Sequence, residues 1–153
     1  MKRALWLLLL LPQFAFAQIE VCNQPQQKNF FFKIADEKST ATVYYDPSDF
    51  ISVKLTAEIF SKDINRVTGK IPDLVIGTIE KSQLIKELVK SKKLTIDSLN
   101  NQWERYTIKT IDNPFKGVKK ALVIVGSDRR GTSYGVFSLS EAIGVSPWYD
   151  WAD

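Results

Sequence analysis

The chain has 153 residues, room for one domain with a substantial core, and a formal net charge of +4. It contains no histidine and a single cysteine, Cys22, so an internal disulfide is impossible and the commonest metal ligand and general base are missing. Zinc sites and Ser–His or Cys–His nucleophile systems are thereby excluded within the chain, and no cofactor is expected.

Residues 1–17 read as a secretory signal peptide. Met1-Lys2-Arg3 is a basic start, Ala4 to Leu11 an apolar stretch, and Ala15-Phe16-Ala17 an A-x-A cleavage site. The apolar stretch is short for a bilayer span and is interrupted by Pro12, so export to the periplasm or outside the cell is expected, with no stable membrane span after cleavage. Loss of Lys2 and Arg3 lowers the charge from +4 to +2, too little to point to a nucleic acid or a membrane surface. Ile19-Glu20-Val21 before Cys22 does not resemble a lipidation site, and residues 18–28, including the polar QPQQK run, read as a mobile N-terminal segment. The lysine groups at 90–93 and 116–120 read as solvated loop charges.

An α/β domain is expected over residues 29–147. Phe30 to Ile34 is rich in strand formers, and Thr40 to Tyr45 alternates as a second strand, the two able to pair as a hairpin. Asp46-Pro47-Ser48 opens a long helix with Asp46 or Ser48 as cap, and Ile51, Leu55, Ile59, Ile64 and Val67, widened by Ala57 and Phe60, give it a core-facing stripe. After Gly69 and Pro72, Asp73 to Gly77 is a short apolar strand. Ser82 begins a second helix that buries Leu84, Ile85, Leu88 and Val89, and residues 95–101 form a polar connection. Trp103 to Ile111 alternates over nine residues, which suits a strand with one wet face in a mixed sheet.

The most informative stretch is the last. Ala121 to Val125 is a buried strand, the polar turn Ser127 to Gly131 follows, and a helix runs from about Thr132 to Ile143 on the apolar face Val136, Phe137, Leu139, Ala142 and Ile143. Gly144 stands at the left-handed helix end and Pro147 prevents resumption. The order is β-β-α-β-α-β-β-α, a two-layer α/β sandwich with a mixed sheet and helices packed mainly on one face.

Gly126, Gly131 and Gly135 match neither a Walker loop nor a dinucleotide fingerprint, so nucleotide binding is the weakest reading and close backbone approach the stronger one. Asp128 favours a helix N-terminus, whereas Arg129 and Arg130 oppose the dipole there. Either arginine could reach an acid of a neighbouring domain or an anionic ligand, and a surface pair with Asp128 is the plain alternative. Residues 148–153 read as the start of a linker to a larger domain, since Trp148, Tyr149 and Trp151 form an aromatic run with nothing after it to cover it; a C-terminal tail packed on its own core is the plain alternative. Asp150 and Asp153 are the acids beside that run, and three positions apart at a chain end they do not make a hydrolytic pair; no residue is assigned catalysis.

The run GSDRRGTSYGVFSLSEAIGVSPWYDWAD, together with LVIGTIEKSQLIKELVKSKKL and WERYTIKTIDNPFKGVKKALVIVGSD, resembles the N-terminal domain of glycoside hydrolase family 115, the xylan α-glucuronidases. A similar accessory domain precedes the barrel in hexosaminidases. The resemblance implies a non-catalytic accessory domain followed by a (β/α)8 barrel that bears the catalytic acids, with inverting removal of glucuronic acid or its 4-O-methyl ether from xylan. It implies that Trp148, Tyr149 and Trp151 dock on that barrel, that Asp128, Arg129 and Arg130 lie at or near the interface, and that this chain alone is inactive. The alternative is a self-contained exported carbohydrate-binding or protein-interaction module that uses the Trp/Tyr cluster as a sugar-stacking face.

Overall fold

The computed structural model describes residue 34 and residues 43–69 and 74–146. The signal peptide, Cys22, most of the expected strand at Phe30 to Ile34 with its hairpin, and the cluster Trp148, Tyr149 and Trp151 lie outside the described residues. Within them the elements are β1 (Val43–Tyr45), α1 (Ile51–Thr68), β2 (Leu74–Thr78), α2 (Gln83–Lys90), β3 (Tyr106–Asp112), β4 (Lys120–Gly126) and α3 (Arg129–Ala142). The expected fold class holds: a mixed α/β domain with one four-stranded sheet.

The sheet order is β1-β2-β4-β3. β1, β2 and β4 are parallel, with Tyr44 opposite Val75 and Val75 opposite Val123, and β3 runs antiparallel to β4 with Ile108 opposite Ile124. β2 and β4 hold the centre because Leu74 to Thr78 and Ala121 to Gly126 are apolar or small on both faces and entirely buried. β3 takes the edge, where exposed Tyr106, Lys109 and Asp112 are tolerated.

α1 and α3 pack on one face, where Val53, Ala57, Phe60 and Ile64 meet Leu74, Ile76, Leu122 and Ile124, with Val136 and Leu139. α2 covers the opposite face, Ile85 and Leu88 packing on Val75, Val123 and Val125. The connection at 95–101 does more than link elements: Leu99 within it and Leu94 just before it are buried in that second core. Each side chain so buried contributes about 1.5–3 kcal/mol. Polar groups join the two helices of the first layer. The Thr56 and Ser133 hydroxyls are 3.1 Å apart, and the Ser140 hydroxyl donates to the buried Asp63 carboxylate at 3.0 Å.

Most helix ends follow the sequence, and Gly69, placed after the α1 stripe, ends α1 at φ +69 with its N–H on the Asn65 carbonyl. Ser82 caps α2, its hydroxyl accepting the Ile85 N–H. α3 ends on Gly144 at φ +97, with the Val145 N–H on the Ser140 carbonyl and the Gly144 N–H on the Glu141 carbonyl, the Schellman pattern. The start of α1 departs from expectation. Neither Asp46 nor Ser48 caps it; Phe50 holds the N-cap position with no side-chain hydrogen bond, because the acids before it are turned toward β2 and α2.

Its stripe departs as well. Ile64, Ala57 and Phe60 are buried as expected, but the inward face is completed by Val53, while Ile51, Leu55, Ile59 and Val67 point outward. On α3, Val136 and Leu139 are buried, Ala142 and Ile143 half-buried, and Phe137 exposed. β3 begins three residues later than the alternation predicts. Glu104 takes φ +55, a left-handed backbone that ends the extended run and leaves Trp103 in the preceding loop, 82% exposed.

Candidate functional site

The carboxyl ends of β1, β2 and β4 and the start of β3 meet along one edge of the sheet, the place where open α/β sheets bind ligands. Two of the three expected site groups are described there, and the geometry gives each a defined task.

Asp128 caps α3. Its Oδ1 accepts the N–H of Arg130 at 2.9 Å and of Gly131 at 2.8 Å, satisfying donors that the helix leaves unpaired. Its Oδ2 accepts the Glu104 N–H at 2.7 Å and, at 3.4 Å, the Ser127 hydroxyl. One carboxylate therefore ties the 102–105 loop to the first turn of α3. Burial pushes this carboxyl up, and the hydrogen bonds from Glu104, Gly131, Arg130 and Ser127 outweigh it, so the net effect holds it below the usual carboxylate range.

Backbone bonds complete the clasp. The Ser127 N–H donates to the Arg105 carbonyl at 2.8 Å and the Arg105 N–H to the Ser127 hydroxyl at 3.1 Å. Gly131 and Gly135 permit the close approach expected of them. A Cβ on Gly131 would lie 2.3 Å from the Arg105 carbonyl oxygen, and one on Gly135 would lie 2.9 Å from both Ile124 and the Tyr106 ring. Tyr106 is fixed over that glycine by its hydroxyl, 2.8 Å from that of Ser138.

The arginines separate. Arg130 does reach elsewhere, but within the chain: it pairs with Glu104 at 2.9 Å and donates to the Tyr134 hydroxyl at 3.1 Å. It does not form the alternative ion pair with Asp128, whose oxygens are occupied by N–H and hydroxyl donors. The Tyr134 hydrogen bond, then the Glu104 charge, raise the guanidinium pKa further. Arg129 is exposed and its guanidinium has no partner among the described residues.

Three participants escaped the sequence. Asp46 and Asp49 follow β1 but act on the other exits. The Asp46 carboxylate accepts the Ser48 hydroxyl at 2.6 Å and N–H at 2.8 Å, and crosses to the Gln83 N–H of α2 at 2.5 Å. Burial pushes it up, and these bonds with those of Ser48, Gln83 and Leu84 hold it below the usual range. Asp49 accepts the Thr78 N–H and hydroxyl, both at 2.8 Å. The third is Glu104, whose backbone and side chain both serve the clasp.

Chemically this edge is occupied by the chain itself. The positive ends of α2 and α3, where a phosphate would sit in a nucleotide-binding fold, face Asp46 and Asp128. That arrangement speaks for structural glycines over nucleotide binding. Among the described residues no group of three metal-ligating side chains gathers, and none of the helices is long and apolar enough to cross a membrane.

No family model matches the sequence, and no curated protein matches it. Among solved structures, the chain is similar to a family GH115 4-O-methyl-α-glucuronidase, BtGH115A, described as specific for decorated arabinogalactans. The similarity has a TM-score of 0.60 at 26% identity and covers 74% of this chain but 14% of that one. It supports a glycoside hydrolase-related domain, one that spans a small part of the length of the enzyme it resembles.

Proposed function

We propose that this chain is a non-catalytic accessory domain of an exported glycoside hydrolase that removes glucuronic acid or its 4-O-methyl ether from a polysaccharide such as xylan. The observation that carries the reading is the similarity covering 74% of this chain and only 14% of a GH115 glucuronidase. A domain of that share holds a position within a larger enzyme and need not carry its chemistry. The sheet edge agrees with such a role, since its carboxylates are committed to N–H and hydroxyl donors and so are poorly placed to act as an acid and base flanking a glycosidic bond. Its partners are then the catalytic barrel of the same polypeptide and, through that barrel, the polysaccharide. The assay is release of glucuronic acid from glucuronoxylan and from decorated arabinogalactan. Residues 1–153 alone are expected to release none, and the complete translated product to be active; turnover by the short chain refutes the assignment.

Trp103 favours a second reading. An indole 82% exposed, beside the Glu104–Arg130 pair, has the form of a sugar-stacking face. Retention on insoluble xylan that disappears in Trp103→Ala would support a binding module.

A further inference from the structure

The two helical layers meet solvent differently. On α1, Ile51, Leu55 and Ile59 recur every four residues at 68, 52 and 43% exposure, and Phe137 of α3 is 45% exposed. Side chains four apart stand one above another, so the three α1 residues form a ridge and not scattered singles. α1 is thus apolar on two sides, with Val53, Ala57, Phe60 and Ile64 on the inner one. A helix apolar on two sides is the pattern of one covered on both. α2, on the other face of the sheet, has no exposed large hydrophobic side chain. What lies there is a shallow depression of about 210 Å3 bordered by Lys86 and Lys90.

Charge narrows the occupant. Lys54, Lys62 and Arg66 flank the α1 ridge, and Arg129 opens α3, against Glu58 and Glu141. Lys54 is spent on Glu58 at 3.9 Å, and Arg66 lies 3.7 Å from Asp63. The guanidinium of Arg129 is unpaired among the described residues. A second copy of this face would bring Lys62 and Arg129 toward cations of their own kind, a juxtaposition that opposes association.

We propose that the outer face of the α1–α3 layer docks on another domain of the same polypeptide, one presenting an apolar surface edged with carboxylates. This rests on the accessory-domain reading and adds to it which face is used and what it meets. The ridge fills the centre of the contact, and Arg129 pairs with a partner carboxylate at its margin.

Leu55→Lys tests it in two lengths of chain, residues 1–153 and the complete translated product. In the short chain Leu55 is already exposed, and the melting temperature stays within about 2 °C. In the long chain the variant is expected to melt about 5 °C or more below the parent. Amide exchange across residues 51–62 is expected to be about tenfold slower in the long parent than in the short one, an effect that Leu55→Lys removes. Equal effects of Leu55→Lys in both lengths overturn the proposal. So does protection that falls on α2 and not on α1, which would leave the accessory reading standing. A dimer of residues 1–153 that Leu55→Lys abolishes also overturns it, assigning the face to self-association. If the complete product contains no second domain, the accessory reading fails and this inference fails with it.

Discussion

The exits of β2 and β4 are close to a repeat in sequence, LVIGT against LVIVGSD, yet they are held by different means. β4 brings its own acid: Asp128 follows the strand by two residues and caps the helix it leads into. β2 is followed at the same distance by Glu80, but its donors turn instead to two acids of the β1–α1 loop, Asp49 for the Thr78 N–H and Asp46 for the Gln83 N–H, 29 and 37 residues away in sequence. In both places a carboxylate answers backbone donors at the carboxyl edge. The local solution is a capping motif whose helix donors lie two and three residues from Asp128, with the Glu104 N–H added from 24 residues away. The borrowed one exists only once β1 lies beside β2, so it couples strand order to helix placement.

The largest way to break the comparison is at Gly131. Gly131→Ala drives a methyl into the Arg105 carbonyl and forces apart the loop that Asp128 holds, and should cost about 3 kcal/mol or more in urea-induced unfolding. Asp128→Ala comes next. It removes the cap and orphans the Glu104 N–H, an expected loss of about 2–3 kcal/mol, with Asp128→Asn recovering part of it because the amide oxygen still accepts.

Asp49→Ala is the matching change at the borrowed site. It leaves the N–H and hydroxyl of fully buried Thr78 without acceptors, for about 1–2 kcal/mol. If the β2 exit truly depends on tertiary assembly, this variant should loosen β1 as well as α2, seen as faster amide exchange at residues 43–45, whereas Asp128→Ala should spare them.

Acid should weaken both exits together. Asp46 and Asp128 have folded pKa values below their ordinary 3.8, so their contributions are complete above that pH and are lost as the pH falls through the lower folded values. Acid titration of stability in Asp46→Asn and in Asp128→Asn should each show a shallower fall below pH 3.8 than the parent. The smallest effect belongs to Arg130→Ala. Its pair with Glu104 is solvent-exposed, so the melting temperature should stay within about 2 °C of the parent even though the guanidinium makes two contacts.

Much of the fold was legible because its signals are local. The Ser82 cap, the Gly144 helix end and the buried runs of β2 and β4 depend on residues a few positions apart. The errors fell where one local pattern admitted two answers. α1 carries apolar residues on opposite sides, and periodicity cannot say which side faces a sheet; Val53 and Phe60 went inward, and Ile51 and Leu55 did not. The alternation from Trp103 was genuine, but the Glu104 N–H turned to Asp128, 24 residues on, and the strand waited until Tyr106. At the candidate site, Asp128 was readable from its place before a helix, whereas Arg130's choice of Glu104 was not.

By itself the sequence determined the identity of most helices and strands, the capping of α2 and α3, and the close-packed glycines of α3, since each follows from the backbone needs of neighbouring residues. Only the tertiary structure decided the strand order, the inward face of α1 and the donors that Asp46, Asp49 and Glu104 serve. Those are contacts between distant segments, and they acquire an energy only when the sheet has brought the segments together.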